Sequence, residues 1–182
     1  MCIRDSDNGG EIFSDMAGLE GMKLQLWEGG IRVPAFVRWP GDVPAGRTSE
    51  QVVSTLDWTA TMLAAAGVPA APDADGMSIL RHLRGETGIT ERTVFWRSTR
   101  WGLQHAVRQG NWKYLRIEKP QARSKRSETG EMLFDLSRDP GEREDLASKH
   151  PEIVERLRRL YSEWEAGVLA PTEPVTAPGP VG

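Results

Sequence analysis

The pattern of apolar and polar residues is clearest in the second half of the chain. Four short segments rich in aromatic and branched side chains predict an antiparallel sheet: Thr93–Arg97, Leu103–Arg108, Trp112–Ile117 and Met132–Leu136. Gln109-Gly110-Asn111 predicts a tight turn between the second and third segments. From Pro151 to Trp164 apolar residues recur at helical spacing, and Gly167 follows them. This pattern predicts a terminal helix that covers one face of the sheet.

The first half predicts one strand and one helix. The apolar run from Ile31 to Trp39 is typical of an interior strand. A helix is expected to begin near Ser54, which has capping-pair spacing to Asp57, and to end at Gly67. Its buried face is predicted from four residues at helical spacing: Leu56, Ala60, Leu63 and Ala64. The Ala- and Pro-rich stretch 70–74 is interpreted as a boundary loop.

Composition limits the classes of protein that the chain can represent. With 182 residues and 38% hydrophobic content, it can bury one core, or one core and part of another. The net charge of −3, without a stripe of Lys and Arg, argues against nucleic-acid binding. The sequence shows no apolar run of membrane-spanning length and no signal-peptide pattern. Cys2 is the only cysteine, so no internal disulfide can form.

The candidate chemistry lies in two glycine-rich stretches, residues 6–10 and 23–34. Asp7 and Asn8 offer oxygen ligands for a hard divalent cation, and Lys23 offers a compact ammonium donor to an oxyanion. Each residue taken alone also has an ordinary interpretation. Asp-Asn-Gly is a common turn sequence, Lys23 can be a solvated lysine, and Arg32 can pair with Glu28.

Further polar and aromatic residues are expected to have structural or surface roles. The three histidines, His82, His105 and His150, are scattered without ligand-like spacing. The polar connection Glu118–Glu131 is predicted to be an exposed, mobile loop. Trp101 is a candidate to line a substrate cleft.

The motifs, in their order along the chain, resemble the C-terminal part of a type I sulfatase. The resemblance covers residues 6 to about 166 and rests on these segments: Ser6-Asp7-Asn8-Gly9-Gly10, Gly21-Met22-Lys23, Trp27-Glu28-Gly29-Gly30-Ile31-Arg32-Val33-Pro34, Trp112-Lys113-Tyr114 and Leu133-Phe134-Asp135-Leu136. It implies an α/β fold. Residues 1–70 would be the C-terminal portion of an alkaline-phosphatase-like domain, and residues 71–167 a small subdomain with a four-stranded antiparallel sheet and a terminal helix. Residues 168–182 would form a disordered Pro-rich tail.

The resemblance also implies roles for individual residues. Asp7 and Asn8 match two ligands of the family's calcium ion, with Mg²⁺ as the alternative ion, and Lys23 matches the catalytic lysine that binds a sulfate oxygen. The family's formylglycine nucleophile comes from a Cys-x-Pro/Ala-x-Arg motif, which is absent, because Arg4 stands where Pro or Ala is required after Cys2. Leu24 occupies a position where the family usually has Gly.

These departures predict that the chain begins inside a domain. Met1 to about Asp5 lacks the apolar run of a buried strand and is interpreted as foreign sequence. The nucleophile and the other metal ligands would lie upstream, and the isolated chain is expected to be inactive and poorly soluble.

The resulting functional hypothesis is a fragment of an arylsulfatase-like enzyme that hydrolyses sulfate esters. Its substrate would be a small-molecule or glycan sulfate ester, and family resemblance implies a periplasmic or secreted location. One alternative is a phosphatase, phosphodiesterase or phosphonate hydrolase of the same superfamily. Another is a non-catalytic module that binds sulfated glycans.

Overall fold

A computed structural model describes residues 1–11, 13–100, 102–119 and 129–168. Predictions for Trp101, for most of the connection Glu118–Glu131 and for the tail beyond Val168 therefore lie outside the described residues. The strands are β1 (Cys2–Arg4), β2 (Phe36–Arg38), β3 (Thr93–Ser98), β4 (Gln104–Gln109), β5 (Trp112–Ile117) and β6 (Gly130–Asp135). The helices are α1 (Glu28–Ile31), α2 (Thr55–Ala65), α3 (Leu80–Arg84) and α4 (Pro151–Val168).

The four predicted strands of the second half form one antiparallel sheet in the order β3-β4-β5-β6. The register pairs Trp96 with Ala106, Ala106 with Leu115, and Leu115 with Met132. Gly110 has a φ of 58° in the turn between β4 and β5, a left-handed conformation that favours glycine. The predicted sheet and this turn are therefore confirmed.

Side chains alternate between the two faces of the sheet along each strand, and both faces are buried. One face packs Leu115 and Phe134 against Leu26 and Trp27 from the first half of the chain. The other face packs against α4, where Leu157 is completely buried. The predicted terminal helix is confirmed, and it extends to Val168. The sheet thus joins α4 on one side to the candidate site region on the other.

The predicted interior strand Ile31–Trp39 is wrong in extent and environment. Residues 28–31 form the single turn α1, and only Phe36–Arg38 is extended as β2, with Phe36 63% exposed. In the part of the chain that the structure describes, β2 pairs with β1 alone. Residues 1–5 were expected to lack a buried strand, and Cys2–Arg4 form instead a short, largely exposed strand that pairs with residues 36–38.

Helix α1 exists because tertiary hydrogen bonds select it over an extended chain. The backbone N–H of Gly29 donates to the Glu20 carbonyl at 2.6 Å, and that of Glu28 donates to the Glu142 carboxylate at 2.5 Å. A Cβ on Gly30 would lie 2.0 Å from the carbonyl oxygen of Gln25, so this close approach requires glycine. Such contacts join residues far apart in sequence, and the apolar run could not predict them.

Helix α2 follows the predicted boundaries but buries a different face. Ser54 and Asp57 form the predicted capping box, and Gly67 follows the end of the helix with a φ of 73°. The buried side chains are nevertheless Asp57, Trp58, Ala60 and Thr61, whereas Leu56 is 55% exposed. The face is turned toward the polar contacts of Asp57, whose carboxylate accepts from the backbone of Met77 at 2.9 Å.

Helix α3 was not predicted, since its five residues are too few to establish a periodic pattern. Among the helices described, none combines the length and apolar character needed to cross a lipid bilayer.

Candidate functional site

The loop at residues 6–10 and the segment at residues 22–32 lie against each other. The N–H of Gly9 donates to the carbonyl of Gly30, and the N–H of Lys23 donates to the carbonyl of Gly10, both at 2.8 Å. A Cβ on Gly9 would lie 1.8 Å from the carbonyl oxygen of Gly29, so only glycine allows this approach. The structure therefore brings the loop of Asp7 and Asn8 next to the loop of Lys23.

The three predicted site residues differ in their surroundings. Asp7 is exposed, and Asn8 is partly buried, with its carbonyl accepting from the Ser6 hydroxyl at 3.1 Å. The Lys23 side chain is 39% exposed, and its Nζ lies 3.8 Å from Oε1 of Glu11, whose side chain is 72% exposed. An ion pair this long and exposed contributes little to stability. Lys23 is thus held by its backbone, while its side chain remains accessible.

A cleft of about 300 Å³ lies beside Asp7. Four carboxylates and two guanidinium groups contribute to its lining: Asp5, Asp7, Glu28, Glu50, Arg32 and Arg108. Burial lowers the pKa of the Arg108 guanidinium, and the nearby carboxylate of Glu28 opposes that shift. Together these six lining groups carry a negative formal charge.

The donor set around Asp7 fits part of a metal shell. Asp7 and Asn8 offer a carboxylate and a carboxamide, both hard oxygen donors, whereas Ca²⁺ takes about six to eight oxygens. Asp5 is already engaged, since it accepts from the Trp58 indole at 2.5 Å and from the Ser6 N–H at 2.8 Å. Within the described ranges, no group of three or more His, Cys, Asp and Glu side chains could hold a metal. The pair Asp7 and Asn8 can therefore supply two ligands of a larger set.

A buried ionic network lies directly behind this site. The Lys113 ammonium, which is completely buried, lies 3.0 Å from Glu28 Oε1 and 2.7 Å from Glu142 Oε1. Arg32 also approaches Glu28, at 3.8 Å, as the sequence suggested. Burial raises the pKa of the Glu142 carboxyl, while Lys113 and the N–H of Glu28 act in the opposite direction. The network fixes α1 to the C-terminal sheet.

Leu24 adopts a left-handed backbone with a φ of 75°. For a residue with a side chain this conformation costs about 1–2 kcal/mol. The cost explains why glycine would suit this position, immediately after Lys23.

Comparison with known proteins identifies the family. The family model described as N-sulphoglucosamine sulphohydrolase, C-terminal, matches residues 22–166. The chain belongs to the type I sulfatases. Human N-acetylgalactosamine-6-sulfatase is 30% identical over 93% of this chain and 38% of its own length. An uncharacterised sulfatase of Schizosaccharomyces pombe is 32% identical over 84% of this chain and 27% of its own.

Solved structures show the same fold. A chain from work on glycosaminoglycan metabolism by Bacteroides thetaiotaomicron has a TM-score of 0.75 and 28% identity, covering 90% of this sulfatase chain and 38% of that chain. Ps i-CgsB in complex with k-i-k-neocarrahexaose has a TM-score of 0.76 and 26% identity, covering 89% and 35%. The predicted alkaline-phosphatase-like α/β fold, with its antiparallel sheet and terminal helix, is confirmed. The chain spans about a third of the length of the curated relatives it matches.

Sequence reasoning missed two residues that lie behind this candidate site. In the sequence, Lys113 stands within the motif Trp112-Lys113-Tyr114, and no local pattern marks Glu142. One signal was present: Lys113 shares a strand face with Leu115 and Ile117, two positions that are buried and apolar. A lysine on such a face predicts a buried ion pair, although its partners cannot be read from the strand.

The histidines have structural contacts, as the sequence suggested. His82 lies 2.6 Å from the Ser49 hydroxyl through Nε2, His105 stacks on Tyr161, and His150 packs on Trp112.

Proposed function

We propose that this chain is part of an enzyme that hydrolyses sulfate esters, with Lys23 in contact with the sulfate group and with Asp7 and Asn8 among the ligands of a divalent cation. One observation carries the proposal: in a member of the sulfatase family, backbone hydrogen bonds of 2.8 Å join the Asp7–Asn8 loop to the segment that contains Lys23. The chain spans about a third of the length of its relatives. The hydrolysis is therefore proposed for the whole protein that contains this chain.

The roles of the three residues follow from their chemistry. The Lys23 ammonium is a compact donor that can bind a sulfate oxygen and gains strength as negative charge develops there. Asp7 and Asn8 would hold Ca²⁺, or Mg²⁺ in its place, by their side-chain oxygens. When bound, this ion supplies Lewis-acid stabilisation of the sulfate oxygens. The formylglycine nucleophile is expected in a part of the enzyme that this sequence does not contain.

A sulfated sugar is the substrate class that the relatives favour. Human N-acetylgalactosamine-6-sulfatase is named for a sugar sulfate, and Ps i-CgsB is in complex with k-i-k-neocarrahexaose. Steryl-sulfatase of Mus musculus is 31% identical over 82% of this chain. Its name makes steryl sulfates the competing substrate class. A panel that contains sugar, aryl and steryl sulfates distinguishes these classes.

The test uses the full-length protein that contains this chain. Purified enzyme is assayed with 4-nitrophenyl sulfate and 4-nitrophenyl phosphate, before and after treatment with a chelator and readdition of Ca²⁺ or Mg²⁺. We expect hydrolysis of the sulfate ester, loss of activity on chelation and recovery with metal. Preference for the phosphate ester would contradict the proposal and support a phosphohydrolase, and binding of sulfated glycans without turnover would support a non-catalytic module.

The expectation for the 182-residue chain alone is different. Asp7 and Asn8 supply two oxygens of the six to eight that Ca²⁺ takes, so this chain should not turn over an aryl sulfate. Measurable hydrolysis by the purified chain, free of contaminating enzyme, would contradict the view that the nucleophile lies elsewhere.

A further inference from the structure

We propose that Gln104 is a positioning residue for Lys23: its carboxamide, on strand β4, holds the backbone of the loop that presents the Lys23 ammonium. The proposal rests on the proposed function, because it assigns Gln104 a role in sulfate ester hydrolysis. Gln104 acts through the loop and touches neither substrate nor metal.

The two hydrogen bonds of the Gln104 side chain flank Gln25, the second residue after Lys23. Gln104 is completely buried. Its Oε1 accepts from the N–H of Leu26 at 2.9 Å, and its Nε2 donates to the carbonyl of Leu24 at 3.4 Å. The Ser98 hydroxyl makes a second, longer contact to the same carbonyl, at 3.5 Å. One side chain therefore binds two backbone groups of the loop, as the neighbouring strand of a sheet would.

The conformation of Leu24 shows why the loop needs this support. Its φ of 75° is disfavoured for a residue with a side chain, and such a conformation persists where its surroundings determine it. On the other side, the N–H of Lys23 donates to the Gly10 carbonyl at 2.8 Å. Lys23 thus lies between an anchor in the Asp7–Asn8 loop and an anchor in the C-terminal sheet.

Loss of the carboxamide should loosen the loop without emptying the core. A methionine at position 104 has a similar length and is apolar, so it preserves packing. It removes the partner of the Leu26 N–H and leaves the Leu24 carbonyl with only the longer Ser98 contact. Small displacements of a catalytic group have large effects on rate, because the group must lie within a narrow range of distance and orientation.

The first measurement follows backbone order in the full-length protein that contains this chain. Hydrogen exchange of residues 22–27 is compared among wild type, Gln104→Met and Gln109→Leu. Gln109 is the matched control, since it lies at the other end of β4 and its Nε2 donates to the Thr93 hydroxyl at 3.1 Å. We expect the Leu26 amide to exchange about tenfold faster in Gln104→Met and to be unchanged in the control. Unchanged exchange in Gln104→Met would overturn the proposal.

The second measurement is a double-mutant cycle in the full-length enzyme with 4-nitrophenyl sulfate. We expect Gln104→Met to lower kcat/KM by about tenfold, and to lower it by less than twofold when Lys23 is already alanine, because its effect passes through Lys23. Fully additive losses would assign Gln104 a general structural role and overturn the proposal. Absence of hydrolysis by wild type would instead overturn the proposed function.

Circular dichroism verifies that each variant is folded. If Gln104→Met does not fold, Gln104→Asn takes its place, since it keeps a carboxamide in the core but is one methylene shorter. The same exchange and cycle results then decide the proposal.

Discussion

The C-terminal sheet with α4 and the first 67 residues differ in how completely they bury their apolar side chains. In the sheet, Leu115, Leu133 and Phe134 are fully buried, and both faces are covered. In the first region the strands have three residues each, while Phe36 and Leu56 are 63% and 55% exposed. The predicted site residues lie in the less completely packed region. The well-packed region supports them through a few polar contacts. The C-terminal sheet and α4 therefore provide most of the packing, while the first region carries the candidate site residues.

The largest expected loss comes from the ionic contact between the regions. Lys113→Met leaves the buried carboxylates of Glu28 and Glu142 without their ammonium partner, which should cost about 3–5 kcal/mol of unfolding free energy. Urea denaturation measures the change. The control is Lys149→Met, whose ion pair with Glu144 is exposed and should be worth about 1 kcal/mol or less. Equal losses in both variants would contradict the importance of the buried network.

Apolar burial provides the next contrast. Leu157→Ala empties a completely buried position on α4 and should destabilise by about 3 kcal/mol. Leu56→Ala, on the exposed face of α2, should change stability by about 0.5 kcal/mol or less in the isolated chain. Thermal melts of the two variants test the comparison, and a Leu56 effect as large as that of Leu157 would show that α2 packs differently.

The catalytic prediction concerns the first region. In the full-length enzyme, Lys23→Ala should lower kcat/KM about a hundredfold, equivalent to about 2.7 kcal/mol, because one donor to the developing charge is lost. The melting temperature should hardly change, since the Lys23 side chain is partly exposed. Trp27→Ala is the contrasting variant, because its side chain is buried and its loss should lower the melting temperature. Near-normal turnover in Lys23→Ala would remove Lys23 from the site.

A pH dependence should arise in the sheet and helix region. Burial against Tyr161 lowers the pKa of His105, so the unfolded state binds a proton more readily than the folded state. Stability should therefore fall as the pH decreases below about 6.5. His105→Phe keeps an aromatic ring and should reduce the loss of stability at low pH. His150→Gln replaces a partly exposed histidine and should leave that loss unchanged. The measurement is the urea midpoint of wild type and both variants at pH 7.5 and 5.5. The same decrease in midpoint between these pH values for all three proteins would contradict the prediction.

The smallest expected effect is a gain. Leu24→Gly removes the cost of the left-handed backbone but adds freedom to the unfolded chain, so the net stabilisation should be about 0.5–1 kcal/mol. Leu24→Ala keeps the backbone cost and should be close to neutral. If Leu24→Gly is no more stable than Leu24→Ala in urea denaturation, the left-handed backbone does not decide the preference at this position.

The sequence by itself determined the regular part of the fold. The local signals depend on residues a few positions apart: the aromatic and branched residues of β3 to β6, the turn at Gly110, the capping pair Ser54 and Asp57, and the helical spacing of α4. The motifs that identify the sulfatase family were also visible along the chain, with Asp7, Asn8 and Lys23 among them. Their assigned functional roles remain predictions.

Only the tertiary structure decided the contacts between distant segments. The run Ile31–Trp39 predicted one interior strand. Hydrogen bonds that the backbone of residues 28–29 donates to the Glu20 carbonyl and the Glu142 carboxylate select the turn α1 at its start instead. The partners of Lys113 and the backbone contacts of Gln104 join residues about 30 to 85 positions apart. A local pattern specifies which side chains face inward, but the side chain that each one meets is determined by the packing of distant elements.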